Sequence, residues 1–250
     1  MLRAALIALL MPCAAIAQSF ELDVAPRLGV AVAPAYPGAS EYEVGPDIGF
    51  SFGRLSLGGA RFGSDYERIL GFGFSPSVGY VGERDSSDYA EIAGLNDVDE
   101  TFEFGVGGIY RWEEAEVFAK LRRGFGGHEG FVADLGADYV TRPTERLLLR
   151  AGPRVSLGDD DYTSSYFGVS TAESAATGGR LDAFDADGGV TSAGLEAVAT
   201  YRLGGDWAVE GGISYDRLVG DAGDSPITEA GSEDQFGLRL GVSKRVRFGF

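Results

Sequence analysis

Taken two residues at a time, the stretch from Thr101 to Trp112 separates into two rows. Phe102, Phe104, Val106, Tyr110 and Trp112 fall on one side, and Thr101, Glu103, Gly105, Gly107 and Arg111 on the other. Successive side chains point to opposite faces only in a strand, so this period excludes a helix and predicts one apolar and one polar or small face. The pattern recurs. Phe131, Ala133, Leu135, Ala137 and Tyr139 alternate with Val132, Asp134, Gly136 and Asp138, and similar rows run through 147–155, 195–203 and 207–215. The last segment sets Phe236, Leu238, Leu240, Val242, Val246, Phe248 and Phe250 against Arg239, Gly241, Ser243, Arg245, Arg247 and Gly249, with Lys244 breaking the apolar row. Such a lysine can snorkel toward headgroups at a membrane rim.

Beyond residue 17 no apolar run approaches the roughly 18 residues that a spanning helix needs. A chain that crosses lipid on strands must close into a barrel, because an open edge leaves backbone N–H and C=O groups unpaired in hydrocarbon. The expected fold is therefore all-β, a transmembrane antiparallel up-and-down barrel with an apolar outside and a polar inside. The 39 glycines and the near-neutral mean hydropathy of −0.01 suit such a wall.

Counted back from Phe250, the strands fall at about 234–250, 206–218, 188–203, 145–156, 129–141, 115–125, 101–112, 68–81, 55–63, 43–53 and 22–33. Bacterial barrels with both ends in the periplasm have an even number. The expectation is twelve strands, with one missed before residue 82, and ten is the alternative. Short joins at 113–115, 142–145 and 204–206 alternate with long polar ones at 82–100, 157–187 and 219–233. Short joins mark the periplasmic end and long ones the exterior.

Residues 1–17 have the form of a secretory signal, with Arg3, an apolar run from Ala4 to Met11, and Ala15-Ile16-Ala17 as the cleavage text. Residues 18–250 are then the barrel domain of an outer-membrane protein. The sole cysteine, Cys13, would leave with the signal. The chain carries 38 acidic against 21 basic residues, a net charge of −17. Nucleic acid is a poor partner for such a chain, since phosphate neutralisation needs clustered Lys and Arg. The acidic excess sits in the long joins, as in Asp159-Asp160-Asp161 and 182–187, where solvated loops are the expectation.

Little in the sequence calls for catalysis or a cofactor. His128 is the only histidine and no Ser is placed beside it as a nucleophile, so a turn residue is the reading. Asp185-Ala186-Asp187-Gly188 fails as a calcium loop, because Ala183 and Gly194 occupy two ligand positions. The inward charges are more informative. Arg111, Lys120, Arg122, Arg150, Arg154, Arg202, Arg239, Arg245 and Arg247 are expected to face the lumen with Glu103, Glu116, Asp134, Asp138, Glu196 and Glu210. Two readings stand: a charge-selective channel for small solutes, or a lumen plugged by cross-barrel ion pairs.

Five short stretches carry a resemblance. They are Gly29-Val30 with Pro34, Tyr36, Gly38 and Ser40; Gly94-Leu95; Gly127-His128-Glu129-Gly130; Tyr166-Phe167-Gly168-Val169-Ser170; and Leu218 with Asp221-Ala222-Gly223-Asp224-Ser225-Pro226. In order and spacing the chain resembles the MipA/OmpV family of outer-membrane proteins. The resemblance implies a barrel without enzymatic chemistry. Some members are scaffolds holding a murein hydrolase near a murein synthase, and others are porin-like. The basic Lys244-Arg245-Val246-Arg247 departs from the family's last strand, whereas Phe248 and Phe250 fit the aromatic signal read by the barrel-assembly machinery. Lipid and lipopolysaccharide are the partners that an apolar outer face implies.

Overall fold

The protein is described by a computed structural model covering residues 21–57, 60–62 and 70–249. The signal segment 1–17 and Phe250 lie outside the described residues. Among the described residues there are twelve strand segments: β1 (Glu21–Pro34), β2 (Tyr42–Leu57), β3 (Ala60–Phe62), β4 (Gly71–Val81), β5 (Thr101–Arg111), β6 (Ala115–Gly126), β7 (Phe131–Thr141), β8 (Leu147–Gly158), β9 (Gly189–Gly204), β10 (Trp207–Leu218), β11 (Asp234–Lys244) and β12 (Val246–Gly249). They form one antiparallel sheet in the order β3-β2-β1-β11-β10-β9-β8-β7-β6-β5-β4, with β12 also paired to β1. The first and last strands are thus neighbours, in register from Arg27 opposite Ser243 to Val32 opposite Leu238. At the other end of the path, β4 comes within 8 Å of β2 and β3 in Cα position, so the sheet curls round on itself. No ladder joins β3 to β4 among the described residues.

The expected strands differ from these in two places. The segments 43–53 and 55–63 are one long strand followed by a short one. Asp23 pairs with Arg54 while Val24 pairs with Phe52, so Gly53 is an extra, bulged residue that interrupts the alternation without ending the strand. At the other end, the last strand is broken at Arg245, whose N–H donates to the Asp206 carbonyl at 2.8 Å instead of a ladder partner. β11 and β12 are therefore two pieces of one stave.

The period-2 rows set the two faces. Phe72, Phe74, Val78 and Tyr80 of β4, Phe102, Phe104 and Val106 of β5, and Leu238 and Leu240 of β11 are all exposed on the outside. Rings pair across this surface, as with Tyr80 and Phe102 at 5.2 Å and Tyr215 and Phe236 at 5.0 Å. An exposed apolar surface of this extent is stable only against lipid, which makes the sheet the wall of a transmembrane barrel. Lys244 ends β11 with its ammonium 5.1 Å from the Trp207 ring, beside the 205–206 turn. That turn has positive φ at both central residues, +56° at Gly205 and +67° at Asp206. It is the hairpin geometry that matches strand twist.

The hydrophobic core lies outside the wall, at the long-loop end. Short helices α1 (Asp160–Phe167), α2 (Thr171–Ala176), α3 (Asp221–Asp224) and α4 (Pro226–Ala230) sit in the joins there. Tyr36, Ala39, Tyr89, Ile92, Leu95, Val169, Leu181 and Ile227 form one buried cluster. Val98, Tyr166, Phe167, Ala186, Leu218 and Ala222 form a second. Asp160, Asp161, Asp182, Asp185 and Asp187 are exposed, as expected of solvated joins, but they lie around a packed cap, whose apolar side chains collapse on each other.

Candidate functional site

The site is the lumen together with the cap over its wide-loop mouth. Within the wall, the inward guanidinium groups bridge carboxylates in pairs. Arg122 lies 2.7 Å from Glu103 and 2.7 Å from Asp134. Arg154 is 2.8 Å from Asp138 and 2.9 Å from Glu196. Arg150 reaches Glu116 at 3.6 Å and Glu210 at 4.0 Å. Arg239 contacts Glu196 and lies 3.9 Å from Glu210. Arg111 donates to Glu116 at 3.2 Å with both side chains 4% exposed. Shared carboxylates link these pairs across the lumen, from Arg111 through Glu116, Arg150, Glu210, Arg239 and Glu196 to Arg154.

Arg27 belongs to this set and sequence reading missed it. It bridges Asp47, 2.9 Å away, and Glu210, from the middle of β1. Its signal was available, because Arg27 takes the parity opposite to Leu28 and Val30, which are 67% and 56% exposed. Lys120 also points inward, with its ammonium 4.9 Å from the Phe118 ring, and Arg154 lies 5.0 Å from the same ring. Phe118 fits because its neighbour is Gly136: a Cβ there would sit 2.3 Å from the ring. The remaining cavity measures 340 Å³ and is lined by charged groups that include Arg27, Lys120, Arg150 and Arg239.

Three of the expected lumen residues sit at the turn end instead. Arg202 donates to the Glu145 carbonyl in the 142–146 turn. Arg245 pairs with Asp23, and Arg247, 65% exposed, lies 3.2 Å from Asp206 in the 205–206 turn. The strands carry these side chains to the rim of the lumen, where turn groups meet Arg202 and Arg247 and the β1 carboxylate of Asp23 meets Arg245.

The cap lies at the opposite end. His128, in the 127–130 join, is buried with its ring 5.1 Å from Tyr162 and 5.6 Å from Tyr166. Its Nε2 faces Glu103 at 3.3 Å and its backbone N–H donates to Thr101. Gly124 is required beneath it, since a Cβ there would lie 2.3 Å from the imidazole. His128 is therefore a joint between wall and cap. Tyr162, on the first turn of α1, is held by the Asp159 carboxylate, which accepts from the Tyr162 and Phe131 N–H groups at 3.1 and 2.8 Å. Burial, with the Glu103 charge nearby, raises the Tyr162 phenol well above its ordinary range.

Arg84 ties the 82–100 join to α1. Only 2% exposed, it donates to the Tyr166 and Asn96 carbonyls at 3.0 and 3.3 Å. Burial lowers its pKa from the usual value. Ser170 caps α2 and exchanges hydrogen bonds with Glu173. Burial opposes the Glu173 charge, yet bonds from Ser170 and from the Asn96 N–H hold its carboxyl below the ordinary value.

Apart from Gly29 and Val30, which lie in the wall strand β1, the residues that carry the family resemblance converge on this cap. Pro34 ends β1, and the Tyr36 ring meets Tyr89 edge to face with centroids 5.1 Å apart. Gly38, at φ +94°, packs against Thr228 and donates to Gln235 at 3.2 Å. Gly127, His128 and Gly130 form the joint, where a Cβ on Gly130 would strike Asp159. Asp221 accepts from the Asp187 N–H at 2.8 Å, whereas Asp224 is exposed. Ser225 caps α4, donates to the Phe167 carbonyl at 2.6 Å, and precedes Pro226 at the helix start. Asp159 and Asp160 accept backbone N–H groups, and no group of three or more ligating side chains is placed to hold a metal among the described residues.

Solved structures similar to the chain include a Neisserial surface protein A (11% identity, 92% of this chain and 97% of that one, TM-score 0.31). Others are a porin refined at 1.8 Å (10%, 90% and 99%, TM-score 0.30) and OccK8 of Pseudomonas aeruginosa (9%, 92% and 98%, TM-score 0.29). Likenesses this distant carry no inference about residues or transport. A search of curated proteins found no match. The family model described as MltA-interacting protein MipA, by contrast, matches residues 28–246, which takes in the wall strands from within β1 to the start of β12 and the whole cap. The chain belongs to the MltA-interacting protein MipA family.

Proposed function

We propose that this protein is a closed barrel of the outer membrane that acts without catalysis, as a scaffold for a periplasmic murein hydrolase of the kind the family name specifies. What supports this reading is a packed cap at the long-loop end and, in the lumen, a set of part-buried ion pairs linked through shared carboxylates. Breaking a buried ion pair costs about 3–5 kcal/mol, so the network is a poor path for diffusing ions. The short turns at 112–114, 142–146 and 205–206 then form the periplasmic face available to a partner. A murein synthase would join through the hydrolase, lipid and lipopolysaccharide would cover the outer apolar face, and assembly would begin at the C-terminal strand that ends in Phe250.

Crosslinking in intact cells tests the scaffold. A photoreactive residue at Thr144, in a short turn, is expected to capture a murein hydrolase, and one at Gly179, in the cap, is not. Recovery of no periplasmic enzyme from any turn position overturns the reading. The cavity of 340 Å³ favours a second reading, passage of small solutes, which bilayer conductance separates from the first.

A further inference from the structure

Arginines concentrate at the short-turn mouth of the lumen in a chain whose net charge is −17. A hollow of 80 Å³ there is lined by Arg142, Arg146, Arg150 and Arg202, with Glu145 and Glu210. Glu210 is engaged by Arg27 and Arg239 as well as by Arg150. Arg202 is held in place by the backbone carbonyl of Glu145, an acceptor that orients the guanidinium without neutralising it. Arg142, Arg146 and Arg202 have no carboxylate within 4 Å among the described residues, whereas Arg122 and Arg154, deeper in the lumen, each have two.

We infer that this vestibule binds a carboxylate or phosphate group presented from the periplasm. Guanidinium groups match both anions with paired N–H donors, and a cleft in which arginines outnumber carboxylates focuses a positive field on the mouth. The hollow has room for one such group, and the ion-pair network above it stops passage further in. The inference rests on the periplasmic orientation of the short turns, but not on the identity of any protein partner. An acidic side chain of a docked protein and a free polyvalent anion share this chemistry.

The test uses full-length protein folded in detergent, titrated calorimetrically at low salt with inorganic phosphate, citrate and hexaglutamate. The variant combines Arg142→Gln, Arg146→Gln and Arg202→Gln, with folding confirmed by heat-dependent gel migration; Arg217→Gln, at the cap end, is the control. Saturable binding that weakens about tenfold or more in the triple variant, is unchanged in the control and fades with salt supports the site. Preference for hexaglutamate identifies a protein segment as the source, and equal or tighter citrate or phosphate binding identifies a free anion. Absence of binding to the parent protein, or equal binding by the folded triple variant, overturns the inference. If anions bind as expected while no murein enzyme is captured in cells, the scaffold reading fails and the site stands.

Discussion

Replacing Tyr162 by alanine removes the ring that seats the cap on the wall. The ring lies 5.1 Å from His128, 5.2 Å from Tyr166 and 6.3 Å from Phe167, and fills the space left by Gly158, where a Cβ would come within 2.3 Å of it. Truncating a fully buried aromatic side chain to alanine costs about 3–5 kcal/mol, and Tyr162, partly buried against the cap cluster, belongs at the lower end of that range. The cost should fall on cap opening and not on the strand ladders, because each ring the side chain touches belongs to the cap or the 127–130 joint. At about 1.4 kcal/mol per tenfold, the open population of the cap rises by roughly two orders of magnitude. Hydrogen exchange on detergent-folded protein reads this directly. Amides closed by cap bonds, such as Val169 and Phe184, should exchange faster by that factor, while amides in the β5 to β8 ladders keep their rates. Tyr162→Phe keeps the ring and is expected to stay within about 1 kcal/mol of the parent. A less than tenfold change at the cap, or equal acceleration of cap and wall, would refute the reasoning.

Arg122→Met leaves Glu103 and Asp134 facing each other without their shared cation, and is expected to lower stability by about 3–5 kcal/mol in denaturant unfolding. Ser225→Ala loses the α4 cap and the bond to the Phe167 carbonyl, and should cost about 1–2 kcal/mol, seen as faster cap exchange. Because the Glu173 carboxyl is held below its ordinary value of 4.5, its contribution is present above that pH and is lost as pH falls through the lower folded value. Exchange around α2 should therefore accelerate on acidification, and Glu173→Gln should remove that part of the pH dependence.

The wall was legible because its code is local. Alternation within β5, β7 and β11 assigns each side chain to a face before any partner strand is known, and the outward rows from Phe102 to Val106 and from Phe236 to Val242 lie where that alternation puts them. The inward charges were legible as a set for the same reason. Their pairing was not, because it depends on the register of strands distant in sequence: Arg27 and Glu210 are 183 residues apart. The bulge at Gly53 and the break at Arg245 also escape a period-2 reading, which assumes an unbroken ladder.

The cap was hidden for a different reason. Its helices have eight residues or fewer, too short to show a 3.6-residue period. What was available was the apolar content of joins taken as solvated. Tyr36, Ile92, Leu95, Tyr166, Phe167 and Ile227 have no reason to sit in water, and each is at most 5% exposed. The stretches that gave the family resemblance are largely the same ones. They recur in register because the joins must fit one another: Gly38 under Thr228, Gly130 under Asp159, Ser225 onto Phe167.

Conductance in planar bilayers tests closure of the lumen most directly. Full-length protein, shown to be folded by heat-dependent migration before and after reconstitution, is expected to give no steady ohmic current at either polarity, while Tyr162→Ala gives only brief openings at a rate that follows cap exchange. A steady current through the folded parent protein, with ion selectivity that changes on charge reversal at Arg111 or Arg150, would contradict the closed barrel and establish the channel reading in its place.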